Sequence, residues 1–252
     1  MKSGAVRGKS GGDRLERLAR FLPLYVITDR DLSCGRPEQD VVREAIDGGA
    51  TAIQLRGKKM SGLEMYRMAV ALRDITARHG VLFIVNDRLD VALATEADGV
   101  HLGQEDIPAR CALEVMDRYA RAGRLAPGAW PGRMVLGISV ENVAQAVAAE
   151  NYGADYLGAG PAWATTTKTD AVAPIGPEGI KTICSSVRIP VVAIGGISHA
   201  NAGRLATTGI AGVAVVSAVV SAADVRGAAR SLYEVVSAAP PWRAIPPGGE
   251  AG

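Results

Sequence analysis

Short apolar runs of strand length alternate along the chain with longer stretches in which apolar residues recur at helical spacing. The runs are LYVIT (24–28), AIQL (52–55), VLFIV (81–85), DGVHL (98–102), MVLGI (134–138), ADYLG (154–158), PVVAI (190–194) and GVAVV (212–216). Between them the spacing predicts helices over 37–48, 61–79, 88–96, 108–122, 141–152, 176–186, 199–207 and 222–237, several punctuated by Pro or Gly. Strands that are apolar at nearly every position are buried on both faces, the situation of a parallel sheet covered by helices. Eight strand–helix units predict an α/β protein: a closed (β/α)8 TIM barrel, single domain, over residues 21–238. An open doubly wound sheet is the structural alternative. Its dinucleotide-binding form loses support because ITDRDLSCG, not GxGxxG, follows the first run. The Gly-, Arg- and Ser-bearing start predicts a flexible N-terminal tail over 1–20. The Pro- and Gly-dense PPWRAIPPGGEAG predicts a disordered C-terminal tail over 239–252.

Composition narrows the function class. A chain of 252 residues that is 48% hydrophobic can bury a full barrel core. Its net charge of +2 gives no bulk attraction to nucleic acid or to an acidic membrane, so any cationic site is local. Cys34, Cys111 and Cys184 form no CxxC pair and support neither a disulfide framework nor zinc, and they read as small core residues in a reducing compartment. No apolar leader or membrane-length run is present in the sequence, which predicts a soluble, cytoplasmic protein acting on small molecules. A homo-oligomer is left open.

Candidate chemistry follows the strands. Polar or Gly residues cluster after nearly every one: Thr28-Asp29-Arg30; Gln54, Arg56 and Lys58; Asn86-Asp87; Gly103-Gln104-Glu105-Asp106; Ser139; Thr165-Thr166-Thr167-Lys168; Gly195-Gly196; and Ser217. In a barrel these loops converge at the C-terminal mouth. Arg56, Lys58 and Lys168 supply positive charge, while Asp87 and Asp106 supply hard oxygens suited to Mg2+, a set that fits a diphosphate. Gly195-Gly196 and Ser217, after the seventh and eighth strands, stand where many barrels bind a phosphate through backbone N–H groups. Plainer readings exist for each cluster. Arg56 and Lys58 can simply reach solvent, and Asp87 and Asp106 can cap the helices that follow them. His101 suits the barrel interior better than a direct role on a substrate.

The strings LYVITDR, QLRGK (54–58), VNDRLDVALATEADGVHLGQED (85–106), LGIS (136–139), GAGPAWATTTKTDA (158–171) and IPVVAIGGI (189–197) together resemble the thiamine phosphate synthase family, in order, over nearly all of 22–237. The resemblance implies a transferase that joins hydroxymethylpyrimidine diphosphate to a thiazole phosphate, releasing diphosphate with Mg2+. It implies that Gln54, Arg56, Lys58, Asn86, Ser139 and Lys168 hold the pyrimidine diphosphate and that Asp87 and Asp106 hold the metal. It assigns Thr165, Thr166, Thr167, Gly196, Val216 and Ser217 to the thiazole phosphate, and Arg56, Lys58, Ser139 and Lys168 to catalysis. Two features depart from the family pattern: Gly57 between Arg56 and Lys58, and a long segment at 118–134, expected at the end of the barrel opposite the mouth. The competing readings are the related thiazole tautomerase and a non-catalytic binder of phosphorylated ligands.

Overall fold

The computed structural model describes residues 9–124, 130, 132–165 and 173–238. The strands are β1 (Leu24–Ile27), β2 (Ala52–Leu55), β3 (Leu82–Asn86), β4 (Gly99–Leu102), β5 (Val135–Val140), β6 (Tyr156–Ala159), β7 (Val191–Ile194) and β8 (Gly212–Val215). Each pairs in parallel with the next and β8 returns to β1, so the sheet closes as the apolar runs predict. Around it lie α2 (Glu38–Asp47), α3 (Gly62–His79), α4 (Leu89–Ala94), α5 (Ala109–Arg121), α6 (Val143–Asn151), α7 (Gly176–Ser186), α8 (His199–Ala202), α9 (Ser217–Val220) and α10 (Val225–Ser237), preceded by α1 (Lys9–Ala19).

The strands divide the apolar residues into two cores because successive side chains point to opposite faces. Outward-facing Leu24, Val26, Ile53, Leu55, Phe83, Val85, Val100 and Leu102 pack under the helices. Inward-facing Tyr25, Ile27, Ala52, Leu82, Ile84, Val135, Tyr156, Val192 and Ala214 fill the lumen. At the upper ends the same inward parity delivers Gln54, Asn86, His101 and Ser139. His101 pairs in register with Asn86 on one side and with Gly137 on the other.

Several boundaries and assignments differ from expectation, each for a local reason. Residues 9–19, counted with the N-terminal tail, are helical, and Leu18 and Leu22 insert fully buried into the lumen core. The Gly-rich start hides an amphipathic segment whose apolar residues are too few to stand out by periodicity alone. The 199–207 helix stops at Ala202 and tightens into a 3-10 turn over Gly203–Leu205. Before α10, which is capped by Asp224 accepting from Gly227 N–H, the short α9 follows β8 directly. The cysteines are not all core residues: Cys34 and Cys111 are exposed, and Cys184 alone is partly packed, with burial pushing its thiol up to about 12. The tail at 239–252 lies outside the described residues.

The N-terminal end of the barrel is sealed by charge as well as by apolar contact. Asp155, 3% exposed, accepts from Arg14 Nε at 3.1 Å, from Arg133 Nη1 at 2.6 Å and from the Leu136 N–H at 2.8 Å. Trp130, within the long 118–134 segment, packs edge-on against Phe21 and lies beneath the Arg17 guanidinium. Trp130 and Arg133 therefore dock α1 at the end away from the mouth, where the 118–134 segment is expected. Asp155→Ala leaves Arg14 and Arg133 without their shared partner. It is expected to cost about 3 kcal/mol in urea unfolding while sparing the mouth; a loss under ~1 kcal/mol would contradict this role.

Candidate active site

The QLRGK string leaves β2 and runs into the mouth. Gln54, 3% exposed, stays in the lumen, where its Nε2 donates to the Tyr25 hydroxyl at 2.8 Å. Arg56 is held at both ends: its N–H donates to Thr28 Oγ1 and its Nη1 meets Asp29 Oδ2 at 3.0 Å, with both side chains of the ion pair about 15% exposed. Asp29 itself is fixed by the Asp31 and Leu32 N–H groups, which donate to its Oδ1. Asp29 is thus a positioning residue for Arg56, one visible in the sequence only as a member of the Thr28-Asp29-Arg30 cluster. Lys58 is exposed. A Cβ added at Gly57 would lie 2.6 Å from Met60 Sδ, the flexible end of a side chain, so the departure at this position is accommodated by Met60.

Asp87 follows β3 with φ +63°, a left-handed conformation that short polar residues tolerate and that often marks functional backbone. Its N–H donates to the His101 carbonyl of β4, which anchors the turn. Asp106 reaches back to accept from the Gly103 N–H at 2.6 Å. Neither carboxylate caps a helix: α4 and α5 begin after Arg88 and Pro108 with no side-chain cap. The plainer reading of both residues therefore fails. Instead the two carboxyls lie within hydrogen-bonding reach of each other. Burial, then the hydrogen bond and charge of Asp106, push the Asp87 carboxyl up to about 6, opposed by the nearby charges of Lys58 and Arg56.

Ser139 projects from β5, with its Oγ 2.9 Å from His101 Nε2, while its carbonyl accepts from Gln104 Nε2 at 2.6 Å. Asn86 ends β3 beside them. On the opposite side of the mouth the Gly195-Gly196 turn after β7 has φ +96° and +63°. A Cβ at Gly196 would lie 2.6 Å from the Ala164 carbonyl and 2.9 Å from Trp163 Cβ, so this turn packs backbone to backbone on the loop that leads to Thr165. Val216 and Ser217 open α9 immediately after β8. The structure thus brings Gln54, Arg56, Lys58, Asn86, Asp87, Asp106, Ser139, Thr165, Gly196, Val216 and Ser217 to the C-terminal ends of the strands. Thr166, Thr167 and Lys168 lie outside the described residues.

The sequence reading did not single out Tyr25 and Tyr156. Their phenols sit in the lumen beneath this set, and the signal for them was strand parity: Tyr25 lies two residues before Ile27 and Tyr156 two before Gly158, on inward positions. Gly137 and Gly158 are the complementary signal. A Cβ at Gly137 would fall 2.2 Å from Tyr156 Cζ and 2.5 Å from His101 Nδ1.

The thiamine monophosphate synthase family pattern matches residues 24–219, a span that contains every strand and every described residue of the mouth. Thiamine-phosphate synthase of Chloroflexus aurantiacus is 50% identical over 214 residues, covering 85% of this chain and 92% of that protein. The enzyme of the same name from Coprothermobacter proteolyticus is 50% identical over 221 residues, covering 88% and 98%. Among solved structures, thiamine phosphate pyrophosphorylase from Pyrococcus furiosus superposes with a TM-score of 0.77 at 45% identity, covering 88% of this chain and 98% of that one. Barrels such as a 3-hexulose-6-phosphate synthase, at 14% identity and a TM-score of 0.59, share the fold alone. By pattern, by extended identity and by superposition, the chain belongs to the thiamine monophosphate synthase family.

Proposed function

We propose that this chain synthesises thiamine phosphate, joining hydroxymethylpyrimidine diphosphate to a thiazole phosphate and releasing diphosphate. The observation that carries the reading is the Asp87–Asp106 carboxyl pair, set against the Arg56 and Lys58 charges at neighbouring strand ends. Two carboxyls that bond to each other, with no ion pair of their own among the described residues, favour uptake of a cation or a proton. Mg2+ fits this pair because it takes one or two carboxylates, keeps several waters and accepts substrate phosphates. Among the described residues no group of three or more His, Cys, Asp or Glu is placed to hold a metal ion, so Mg2+ on this pair would need substrate oxygens and waters to complete its shell. When bound, Mg2+ would neutralise charge that develops on the departing diphosphate.

The chain's own residues supply the rest. Arg56, oriented by Asp29, and Lys58 bind the diphosphate more strongly as its bond to the pyrimidine methylene breaks and its charge grows; Lys168 is assigned the same role. The electron pair of that C–O bond leaves on the diphosphate. The electron-rich aminopyrimidine delocalises the positive charge left on the methylene, and the thiazole nitrogen then forms the new C–N bond. Gly196, Val216, Ser217 and the Thr165–Thr167 run are assigned to the phosphate of the thiazole partner. A tautomerase has no use for the carboxyl pair and needs a proton-shuttling His at the mouth. His199 is exposed on α8, and His101 is bonded to Tyr156 and Ser139. A phosphate-binding protein, in turn, gains nothing from a metal set against a leaving group. Free thiols at Cys34 and Cys111 are in keeping with a cytoplasmic location. Among the described residues no helix is long and apolar enough to cross a membrane.

The direct test is turnover: the purified chain, both phosphorylated substrates and Mg2+ are expected to yield thiamine phosphate and diphosphate in equal amounts. A folded protein that gives neither would end the reading. Asp87→Asn and Asp106→Asn are expected to fold normally, lose on the order of 100-fold in kcat and require more Mg2+. Full activity of either variant would return these residues to a structural role.

The raised Asp87 carboxyl gives the sign of the pH dependence. Folding favours its protonated form, so the stabilisation is complete below the unfolded value of 3.8 and is lost as pH rises through about 6. In metal-free protein, Asp87→Asn should therefore be more stable than the parent at pH 8, and this advantage should shrink as pH falls from 6 towards 4. Mg2+ should raise the parent's Tm at pH 8 and progressively fail to do so below about 6. Thermal scans with and without Mg2+ across this range check both; a Mg2+ effect independent of pH would contradict the shared proton.

A further inference from the structure

Five side chains from five strands form an unbroken hydrogen-bonded chain across the lumen. Gln54 Nε2 donates to the Tyr25 hydroxyl at 2.8 Å, and the Tyr25 and Tyr156 hydroxyls are 2.9 Å apart. The Tyr156 hydroxyl is 3.0 Å from His101 Nδ1, and His101 Nε2 is 2.9 Å from Ser139 Oγ. Tyr25 and Tyr156 are 1% and 0% exposed, and burial holds both phenols protonated. The chain exists because Gly137 and Gly158 vacate the space that the Tyr156 and His101 rings occupy.

Proton counting gives such a chain a direction. Each phenol and the serine have one proton to donate, and a neutral imidazole has one N–H. With the Gln54 amide donating to Tyr25 and every buried hydroxyl proton used within the chain, the Tyr25 proton goes to the Tyr156 oxygen and the Tyr156 proton goes to His101 Nδ1. His101 then carries its proton on Nε2 and donates it to Ser139 Oγ, which leaves the Ser139 proton for a group in the mouth. At the other end, Gln54 Oε1 is the atom left to accept. Reversing any single link would reverse all of them, so the two ends keep opposite character.

We propose that this chain presets the mouth, holding Ser139 as a hydrogen-bond donor and Gln54 as an acceptor, with Tyr25, Tyr156 and His101 as positioning residues. The ligand chemistry it selects is a heteroaromatic ring with a nitrogen acceptor beside an exocyclic amine. This selection rests on the reading that an aminopyrimidine diphosphate binds here, but the direction of the chain does not. A ring with a carbonyl in place of the amine takes the lactam form, with N–H beside C=O, and so sets an acceptor against Gln54 Oε1 and a donor against the Ser139 proton, the reverse of the preset pattern.

The direction is read without substrate. The chain has three histidines, so a long-range 1H–15N spectrum of imidazole-labelled protein at pH 8 resolves the tautomer of each. His101 is expected with its proton on Nε2. Tyr25→Phe is expected to keep that tautomer, because Tyr156 still donates to Nδ1, and Tyr156→Phe is expected to lose it. A proton on Nδ1 in the parent protein, or a tautomer indifferent to Tyr156→Phe, would overturn the proposal whatever the activity assay gives. In turnover, Tyr156→Phe should raise KM for the pyrimidine diphosphate by roughly 10-fold and leave KM for the thiazole phosphate unchanged. An equal rise in both would indicate a loosened barrel and overturn the positioning role, whereas absence of turnover in the parent would count against the function reading, with the tautomer still deciding the direction.

Discussion

A closed barrel of eight parallel strands has a lumen too narrow for every inward position to carry a large side chain, and the remaining features of this structure follow from how that space is shared. Aromatic rings at Tyr25 and Tyr156 take the middle of the lumen, and glycine at 137 and 158 yields space to the Tyr156 and His101 rings. Below them Leu18, Leu22 and Trp130 form an apolar plug. Above them the inward positions turn polar at Gln54, Asn86, His101 and Ser139. Phenols at the boundary satisfy both sides, with an apolar ring towards the plug and a hydroxyl towards the mouth. A rigid lower barrel and a polar upper rim are thus two ends of one packing solution, and the rim inherits the rigidity of the core beneath it.

The mouth adds a balance of charge to this frame. Asp29 neutralises and aims Arg56, whereas Asp87 and Asp106 face one another with no such ion pair among the described residues and share the neighbourhood of Lys58 and Arg56. An arrangement in which one carboxylate is spent on orientation and two are left in mutual repulsion costs stability in the ligand-free protein. On the proposed function, that cost would be offset when a divalent cation and a diphosphate arrive together, because each would supply the charge that the other's residues lack.

The strands were legible because a sheet buried on both faces leaves continuous apolar runs, and their order fixed the mouth once the barrel was recognised. The loop residues were legible because charged and Gly-rich clusters recur after each run; the structure gathers those it describes. Less legible was α1, whose docking depends on Asp155 and Trp130 more than 100 residues away and leaves no local period strong enough to detect. Tyr25 and Tyr156 were hidden in runs that read simply as apolar strand, since the pairing of their hydroxyls depends on which strands face each other across the lumen. Cys34 and Cys111 were assigned by residue type to the core, but they occupy an exposed turn and an exposed helix face, which local sequence did not distinguish.

The central claim is that the mouth is a joint site for a divalent cation and a diphosphate, each incomplete without the other. Isothermal titration of inorganic diphosphate into the intact chain at pH 8, with Mg2+ present and then with chelator, tests it most directly. The account predicts saturable binding at one site with Mg2+ and an affinity at least about 10-fold weaker in chelator, a difference abolished by Asp106→Asn. Equal affinity with and without Mg2+ would contradict it.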